Sequence, residues 1–374
     1  MTGLIQPTRI LIVGGGGREH ALAWKLGTEP GVNEVTVAPG SDAISREPRV
    51  RIAPTVDPLD PAQVVRLARE RAVELVVIGP EAALAAGVAD ALIAAGISVF
   101  GPTAAAARIE SSKSFCREIA TVAGVPMAEG RAFAAHEHDA AIEFARRFED
   151  RGVVVKADGL AAGKGVVVCD SIDAAIEAIR AVDGPLIVEE RLVGPEASVI
   201  AIADGRTAVA LPIARDHKRL GDGDVGPNTG GMGAISPILD LPDEAADHVL
   251  EQFHLPVLAE LARRGTPFWG ALYAGLILTA DGPRLLEFNA RFGDPETQAI
   301  VPQLGGPLAP LLLAAARGAL GGAGRPAVLP GGAVAIVLAA AGYPGTPRTG
   351  DAIEGIATAV ANGALVFHAA TRTT

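Results

Sequence analysis

Lys156-Ala157-Asp158-Gly159-Leu160-Ala161-Ala162-Gly163-Lys164-Gly165 decides how this 374-residue chain is read. Apolar runs at 153–157 and 166–169 flank it, so a glycine-rich turn joins strand to strand. A Walker phosphate loop instead joins strand to helix. The spacing also excludes one, because only three residues separate Gly159 from Gly163, and Gly165 stands where Ser or Thr would bind magnesium. A glycine hairpin with lysines at both ends reads as a flap over a triphosphate, whose charge its N–H and ammonium groups would neutralise. An exposed hairpin with solvated lysines is the competing reading. With a helix over 172–182 and a strand over 186–189, this stretch implies a small α+β unit with antiparallel pairing.

Upstream the pattern differs. Strands are expected at 9–13, 34–38, 75–78 and 98–100, and helices at 20–26, 61–71 and 82–95. Short all-apolar strands alternating with helices imply a parallel sheet covered on both faces. Gly101-Pro102-Thr103 breaks the alternation, and a connecting helix over 110–123 stops at Gly124-Val125-Pro126. Downstream, longer strands are expected at 197–203, 207–214, 271–279 and 284–289, with one helix over 243–263. A Gly-, Ala- and Pro-rich linker at 318–330 precedes strands at 333–339 and 365–369.

The net charge of −11 supplies no electrostatic footprint for nucleic acid or an anionic membrane. Hydrophobic residues make up 49% and charged residues 20%, which excludes disorder. Cys116 and Cys169 give neither a disulfide framework nor a zinc site, and a reducing cytoplasm fits them. The short run at 10–13 lacks a basic leader, and no apolar segment approaches the ~18 residues of a membrane span. The expectation is a cytoplasmic protein with small-molecule substrates and neither nucleic-acid nor membrane partners.

Gly14-Gly15-Gly16-Gly17-Arg18-Glu19-His20 lies between a strand and a helix, where free N–H groups receive anions. Glu19 stands where the dinucleotide fingerprint needs its last glycine, and no acid closes the second strand, so NAD is disfavoured. A single phosphate held with Arg18 fits better; a tight turn without ligand is the alternative. His20 reads as a packed helix-face histidine. In Glu287-Phe288-Asn289-Ala290-Arg291-Phe292-Gly293-Asp294, strand alternation puts Glu287 and Asn289 on one face. A carboxylate and an amide oxygen suit Mg²⁺ held jointly with phosphate, and Arg291 follows within reach of an anionic substrate. A solvated polar face is the bland reading. Asp216-His217-Lys218-Arg219 and Gly226-Pro227-Asn228-Thr229-Gly230-Gly231-Met232-Gly233 read as a charged turn and a substrate loop.

In this order the motifs, with Gly79-Pro80-Glu81, resemble those of the phosphoribosylamine–glycine ligase (glycinamide ribonucleotide synthetase) family, ATP-grasp enzymes of purine biosynthesis. The resemblance runs from Ile10 to about His368. It implies ligation of glycine to 5-phosphoribosylamine through glycyl phosphate, with ATP converted to ADP and phosphate, aided by Mg²⁺ or Mn²⁺. It implies α/β and α+β domains: an N-terminal parallel α/β domain (1–103), an ATP-grasp core (104–324) with a hinged lid at about 126–191, and a short, apparently incomplete β-rich C-terminal domain (325–374). By the same resemblance Lys113, Lys156, Gly163, Lys164 and Gly165 meet the nucleotide phosphates. Glu189, Glu190 and Leu192 line the adenine hinge, and Glu196 takes the ribose. Glu287 and Asn289 hold the metal. Gly16, Gly17, Arg18, Glu19, Pro80, Glu81 and Asp294 face the phosphoribosyl substrate. Lys156, Asp216, Lys218, Asn228 and Arg291 serve acyl transfer. Pro195 replaces the first acid of the family's Gly-Glu-Glu-Ala-Ser, and the lid between 168 and 186 is short. A monomer is expected, with a dimer left open. The alternatives are another ATP-grasp carboxylate–amine ligase, or a truncated nucleotide-binding protein without turnover.

Overall fold

All four residues of Ile10-Leu11-Ile12-Val13 are buried, as a strand covered on both faces requires. The computed structural model, which describes residues 3–159 and 165–373, lays them in β1 (Arg9–Gly14). Around β1 a parallel sheet forms in the order β3-β2-β1-β4-β5, with β2 Glu34–Pro39, β3 Val50–Ile52, β4 Leu75–Ile78 and β5 Val99–Phe100. Alternate side chains enter two different cores. Leu11, Val13, Val76 and Ile78 pack with helices α2 (Pro61–Glu70), α3 (Glu81–Ala85) and α4 (Val88–Ala94). Ile10, Ile12, Val35 and Val77 pack on the other face with α1 (Gly17–Thr28). The single helix expected over 82–95 is two, because Gly87 takes φ +80° between them.

Helices α5 (Ala104–Ser111) and α6 (Lys113–Val122) lead out of this domain, capped by the hydroxyls of Thr103 and Ser112. The lid follows as β6 (Gly130–Phe133), α7 (His138–Ala145), β7 (Val153–Ala157), β8 (Val166–Cys169), α8 (Ile172–Arg180) and β9 (Leu186–Glu190). Its antiparallel sheet runs β6-β9-β7-β8, and β7 and β8 pair on either side of the glycine turn. It has a core of its own, built on Phe133, Phe148, Val155 and Val188.

The floor is a second antiparallel sheet in the order β11-β10-β16-β17. Here β10 is Glu196–Asp204 and β11 Ala208–Ala210, and further along the chain lie β16 (Trp269–Thr279) and β17 (Gly282–Asn289). β11 is shorter than the expected 207–214 because Leu211-Pro212 ends the ladder. Between β11 and β16 come β12 (Arg215–Asp216), a hairpin of β13 (Arg219–Gly221) and β14 (Val225–Asn228), and β15 (Gly233–Ser236). The helix expected over 243–263 passes through α9 (Ala246–Val249) and a π-turn at Leu250–His254 into α10 (Leu255–Arg263). Pro256 has no N–H for the preceding turn, which widens instead. β10 feeds both large cores, with Val199 and Ala201 on one side and Ile200 and Ile202 on the other.

After β17 come α11 (Glu296–Ile300) and the buried α12 (Ala309–Ala316), then β18 (Ala333–Ile336) and α13 (Ile356–Ala361). β18 pairs with β15, leaving Val334 and Ile336 exposed. From 331 to 373 no residue is buried. The strand expected at 365–369 does not form: that segment lies along α1, and the His368 N–H donates to His20 Nδ1 at 2.8 Å. His20 itself is buried on α1, with its other ring nitrogen 3.0 Å from Glu47. No described helix is long and apolar enough to cross a membrane.

Candidate active site

The cleft is built where the lid sheet, the floor sheet and the ends of α3, α5 and α6 come together. On β17, Glu287 lies opposite Gly275 and Asn289 opposite Tyr273 on β16. With no side chain at Gly275, nothing from β16 covers Glu287 at its own level. Burial alone would raise the Glu287 pKa. Lys218, Lys156, Arg291 and Lys113 outweigh that and hold it below its ordinary value. These four cations come from four separate parts of the chain. Their gathering around one carboxylate sets a hard oxygen donor among four fixed cations.

On the lid side, Lys156 ends β7 and is buried. Its ammonium contacts Glu189 at 2.7 Å and donates to the Leu286 carbonyl at 3.1 Å, so β7 is tied to the backbone of β17. Glu189 receives Arg117 on its second oxygen at 2.8 Å, while Arg117 also donates to the carbonyls of Gly130 and Ala128. The neighbouring Glu190 pairs with Arg151 at 2.8 Å and accepts the Glu129 N–H, and Leu192 lies half-buried beyond the strand end. Lys113 donates to the Gly159 carbonyl at 2.7 Å, and its pKa is lowered by burial. Asp158 caps the start of α6 through Ser112 and Ser114. The flap therefore springs from a fixed point. The Gly165 carbonyl accepts the Ala157 N–H at 2.8 Å, which closes the base of the hairpin. Gly163 and Lys164 lie outside the described residues.

On the floor side, Lys218 pairs with Glu196 at 2.7 Å and lies 3.9 Å from Asp216. Burial pushes the Asp216 carboxyl up to about 7; Lys218 opposes this, and Glu296, Glu196 and Glu287 reinforce it. Asn228 sits on the adjoining hairpin opposite Arg219, and Thr229 fastens that hairpin to the Lys218 carbonyl. Beneath them Ser198 links Tyr273 (2.9 Å) and Glu296 (3.0 Å), all three buried.

At the N-terminal turn, the Glu19 carboxylate accepts the Gly16 N–H at 2.7 Å and the Arg18 Nε–H at 2.6 Å. A methyl group on Gly14 or Gly79 would overlap this carboxylate, so those glycines make room for Glu19. Arg18 also donates to the Phe292 carbonyl at 3.2 Å, and Asp294 faces Gly16 and bonds Gln298 at 2.6 Å. Gly17 opens α1 beside Gln298. Pro80 caps α3, whose first residue, Glu81, approaches Arg291 to 3.4 Å. Burial tends to raise the Glu81 pKa, but Arg291 and Arg18 hold it low.

Two residues of this constellation had no sequence signal of their own. Glu110 and Arg117 fall in the stretch expected only as a connecting helix over 110–123, and their partners lie 180 and 72 residues away. Helical phase was the available clue: Arg117 falls one turn after Lys113, on a neighbouring face of α6.

Two sequence profiles match the chain: phosphoribosylglycinamide synthetase, N domain, over residues 8–110, and phosphoribosylglycinamide synthetase, ATP-grasp (A) domain, over 111–297. The chain is similar to the phosphoribosylamine–glycine ligase of Leifsonia xyli subsp. xyli, 48% identical over 93% of this chain and 83% of that one. The enzyme of the same name from Streptomyces coelicolor is also 48% identical, over 97% and 86%. Among solved structures, the Thermotoga maritima phosphoribosylamine–glycine ligase aligns with a TM-score of 0.76 at 34% identity, covering 91% of this chain and 82% of that one. The biotin carboxylase domain of Hydrogenobacter thermophilus 2-oxoglutarate carboxylase shares the fold, with a TM-score of 0.63 at 18% identity over 84% and 70%.

Proposed function

The chain belongs to the phosphoribosylglycinamide synthetase family, and we propose that its cleft joins glycine to 5-phosphoribosylamine in purine biosynthesis, with ATP converted to ADP and phosphate. The observation that carries this reading is the convergence of Lys113, Lys156, Lys218 and Arg291 on Glu287. A polyphosphate brings several negative charges, and this pocket holds compensating charge in place before the nucleotide arrives.

In this reaction the glycine carboxylate attacks the γ-phosphate of ATP, giving glycyl phosphate and ADP. The amine of phosphoribosylamine then displaces phosphate to form the amide. Positioning and charge neutralisation suffice, and no side-chain nucleophile is needed. Lys113 and Lys156 take the phosphates, joined from the glycine-rich turn by Gly163, Lys164 and Gly165. In doing so Lys113 exchanges the Gly159 carbonyl for a stronger acceptor. Glu189, Glu190 and Leu192 border the base, and the Glu189 carboxylate keeps Lys156 extended into the cleft. Glu196 receives the ribose hydroxyls, releasing part of its hold on Lys218. Arg291 meets the anionic acyl group; Asp216, Lys218 and Asn228 flank the acyl transfer. Gly16, Gly17, Arg18, Glu19, Pro80, Glu81 and Asp294 surround the phosphoribosyl amine, with Arg18 as the cation nearest its phosphate.

A divalent metal fits the donor set. Among the described residues no group of three or more His, Cys, Asp or Glu could hold an ion alone. Glu287 and Asn289 instead offer two hard oxygens on one strand face, suited to Mg²⁺ or Mn²⁺ that completes its shell with phosphate and water. Such an ion would neutralise phosphate charge. The two cysteines are free and buried, in keeping with a reducing cytoplasm.

ADP release tests the reading, with ATP, Mg²⁺, glycine and phosphoribosylamine present and each omitted in turn. Release that requires all four supports it. Release with a different acid in place of glycine makes the chain another carboxylate–amine ligase. Nucleotide binding without release under any condition makes it a non-catalytic binder.

A further inference from the structure

The Arg291 guanidinium is caught between two carboxylates of unequal exposure. Glu81, whose side chain is 35% exposed, lies 3.4 Å from Nε; Glu110, 7% exposed, lies 3.1 Å from Nη2. The other oxygen of Glu110 accepts the Ala290 N–H at 2.7 Å. One buried carboxylate from α5 thus fastens both the backbone just after Asn289 and the guanidinium of the next residue.

The fork is not saturated. Arg291 Nη1 donates to the Phe292 carbonyl at 3.2 Å, while the buried Nε makes no hydrogen bond. Buried donors are nearly always paired, so an arginine with one left over is prepared for a further anion, which it can receive in planar geometry. Glu81, at 3.4 Å from this Nε, is near enough to balance charge but farther than a well-formed charged hydrogen bond, which suits an exchangeable partner.

We infer that Glu110 is a positioning residue: by gripping Ala290 N–H and Arg291 together, it aims the spare guanidinium donor at the carboxylate of the acid substrate. This rests on the reading above that Arg291 meets the acyl substrate. Glu110 touches neither substrate and acts only through Arg291 and the end of β17.

Three variants test it in the ADP-release assay. Glu110→Gln keeps an oxygen for Ala290 N–H and removes the charge facing Arg291. Glu110→Ala removes both, and Arg291→Met removes the aimed group itself. In Glu110→Gln the KM for glycine rises about tenfold or more, the scale of one charged hydrogen bond, while the KM for ATP stays within about twofold; the melting temperature falls, because a buried guanidinium loses its charge partner, but that split between the two substrates remains. In Glu110→Ala the Mg²⁺ concentration for half-maximal rate rises as well, because the Asn289 end of β17 is loosened. A loss shared equally between glycine and ATP, following a lowered melting temperature, overturns the inference in favour of a merely structural role. An unchanged glycine KM in Glu110→Gln, with a raised one in Arg291→Met, overturns it while leaving the Arg291 reading intact. An unchanged glycine KM in Arg291→Met removes that reading, and the inference falls with it.

Discussion

On the lid side of the cleft two cations share one carboxylate; on the floor side two carboxylates share one cation. Lys156 and Arg117 both hold Glu189, at 2.7 and 2.8 Å, in a cluster about one-tenth exposed. Lys218 holds Glu196 at 2.7 Å and stands 3.9 Å from Asp216, with Lys218 and Glu196 a third or more exposed. The lid cluster therefore carries surplus positive charge in a dry, braced setting, whereas the floor balances Lys218 with Glu196 within reach of water and with a buried Asp216 that readily takes a proton. Buried charge pairs resist rearrangement because a partner that leaves exposes an uncompensated ion. On the function proposed above, the lid side is thus set before nucleotide binds, and the floor side would exchange partners as hydroxyls, amine or metal arrive.

The largest expected effect comes from removing a charge at either centre. Lys156→Ala and Glu287→Gln each lower kcat by roughly 10²–10³ with melting temperature little changed, since both act where charge develops on the transferred phosphoryl group. Full turnover in either purified protein would remove that residue from the mechanism. Next comes the brace. Arg117→Met leaves Glu189 with Lys156 alone, and the KM for ATP is expected to rise about tenfold, a loss of ~1.4 kcal/mol. Glu196→Gln, its counterpart on the wetter floor, is expected to change the ATP KM by less. Equal shifts in the two variants would erase the contrast between a braced lid and an exchangeable floor.

The smallest effects are on stability, and they differ in sign. Asp216 titrates at about 7 when folded against 3.8 as a free carboxyl, so between those values the folded chain holds the extra proton and loses stability as pH rises. His254, away from both clusters with Nε2 at 3.2 Å from the Val199 carbonyl, is pushed down to about 4 by burial. Its unfolded form takes up a proton below about 6.5 while the folded form does not, so its contribution is lost as pH falls toward 4. Urea midpoints from pH 4 to 7 should therefore fall more steeply toward acid in Asp216→Asn than in the parent, and less steeply in His254→Gln. Parallel curves for all three proteins would mean that Asp216 is not held protonated by the floor.

What the sequence made legible follows from which interactions are local. A short β-branched apolar run such as Leu75–Ile78, stopped at once by Gly79-Pro80, reads as a doubly covered strand, and strand alternation alone put Glu287 and Asn289 on one face. The glycine hairpin at Lys156 was readable for the same reason, since its chemistry lies within ten residues. The two-helix break at Gly87 and the π-turn before Pro256 were hidden because each leaves the apolar period nearly intact on both sides. The segment 365–369 has a strand's composition, but a ladder needs a neighbour, and α1 lies beside it instead. Arg117 and Glu110 were illegible for the opposite reason. Their identities are ordinary for helix surfaces, and only tertiary folding sets them against Glu189 and Ala290.

The Glu19 carboxylate packed into the N-terminal turn has a consequence for how this chain can change. Its oxygens occupy the space in which side chains at Gly14 and Gly79 would stand, although Gly79 is sixty residues away in sequence. Mutational tolerance at these positions is therefore not independent. Alanine at 79 alone must dislodge a carboxylate held by Arg18 and the Gly16 N–H, whereas the same alanine beside a truncated residue 19 escapes that overlap. Across a library of variants Gly79 and Glu19 should be lost or kept together, as one block of sequence divided between two loops, while Gly14, at φ +125°, stays glycine whatever stands at 19.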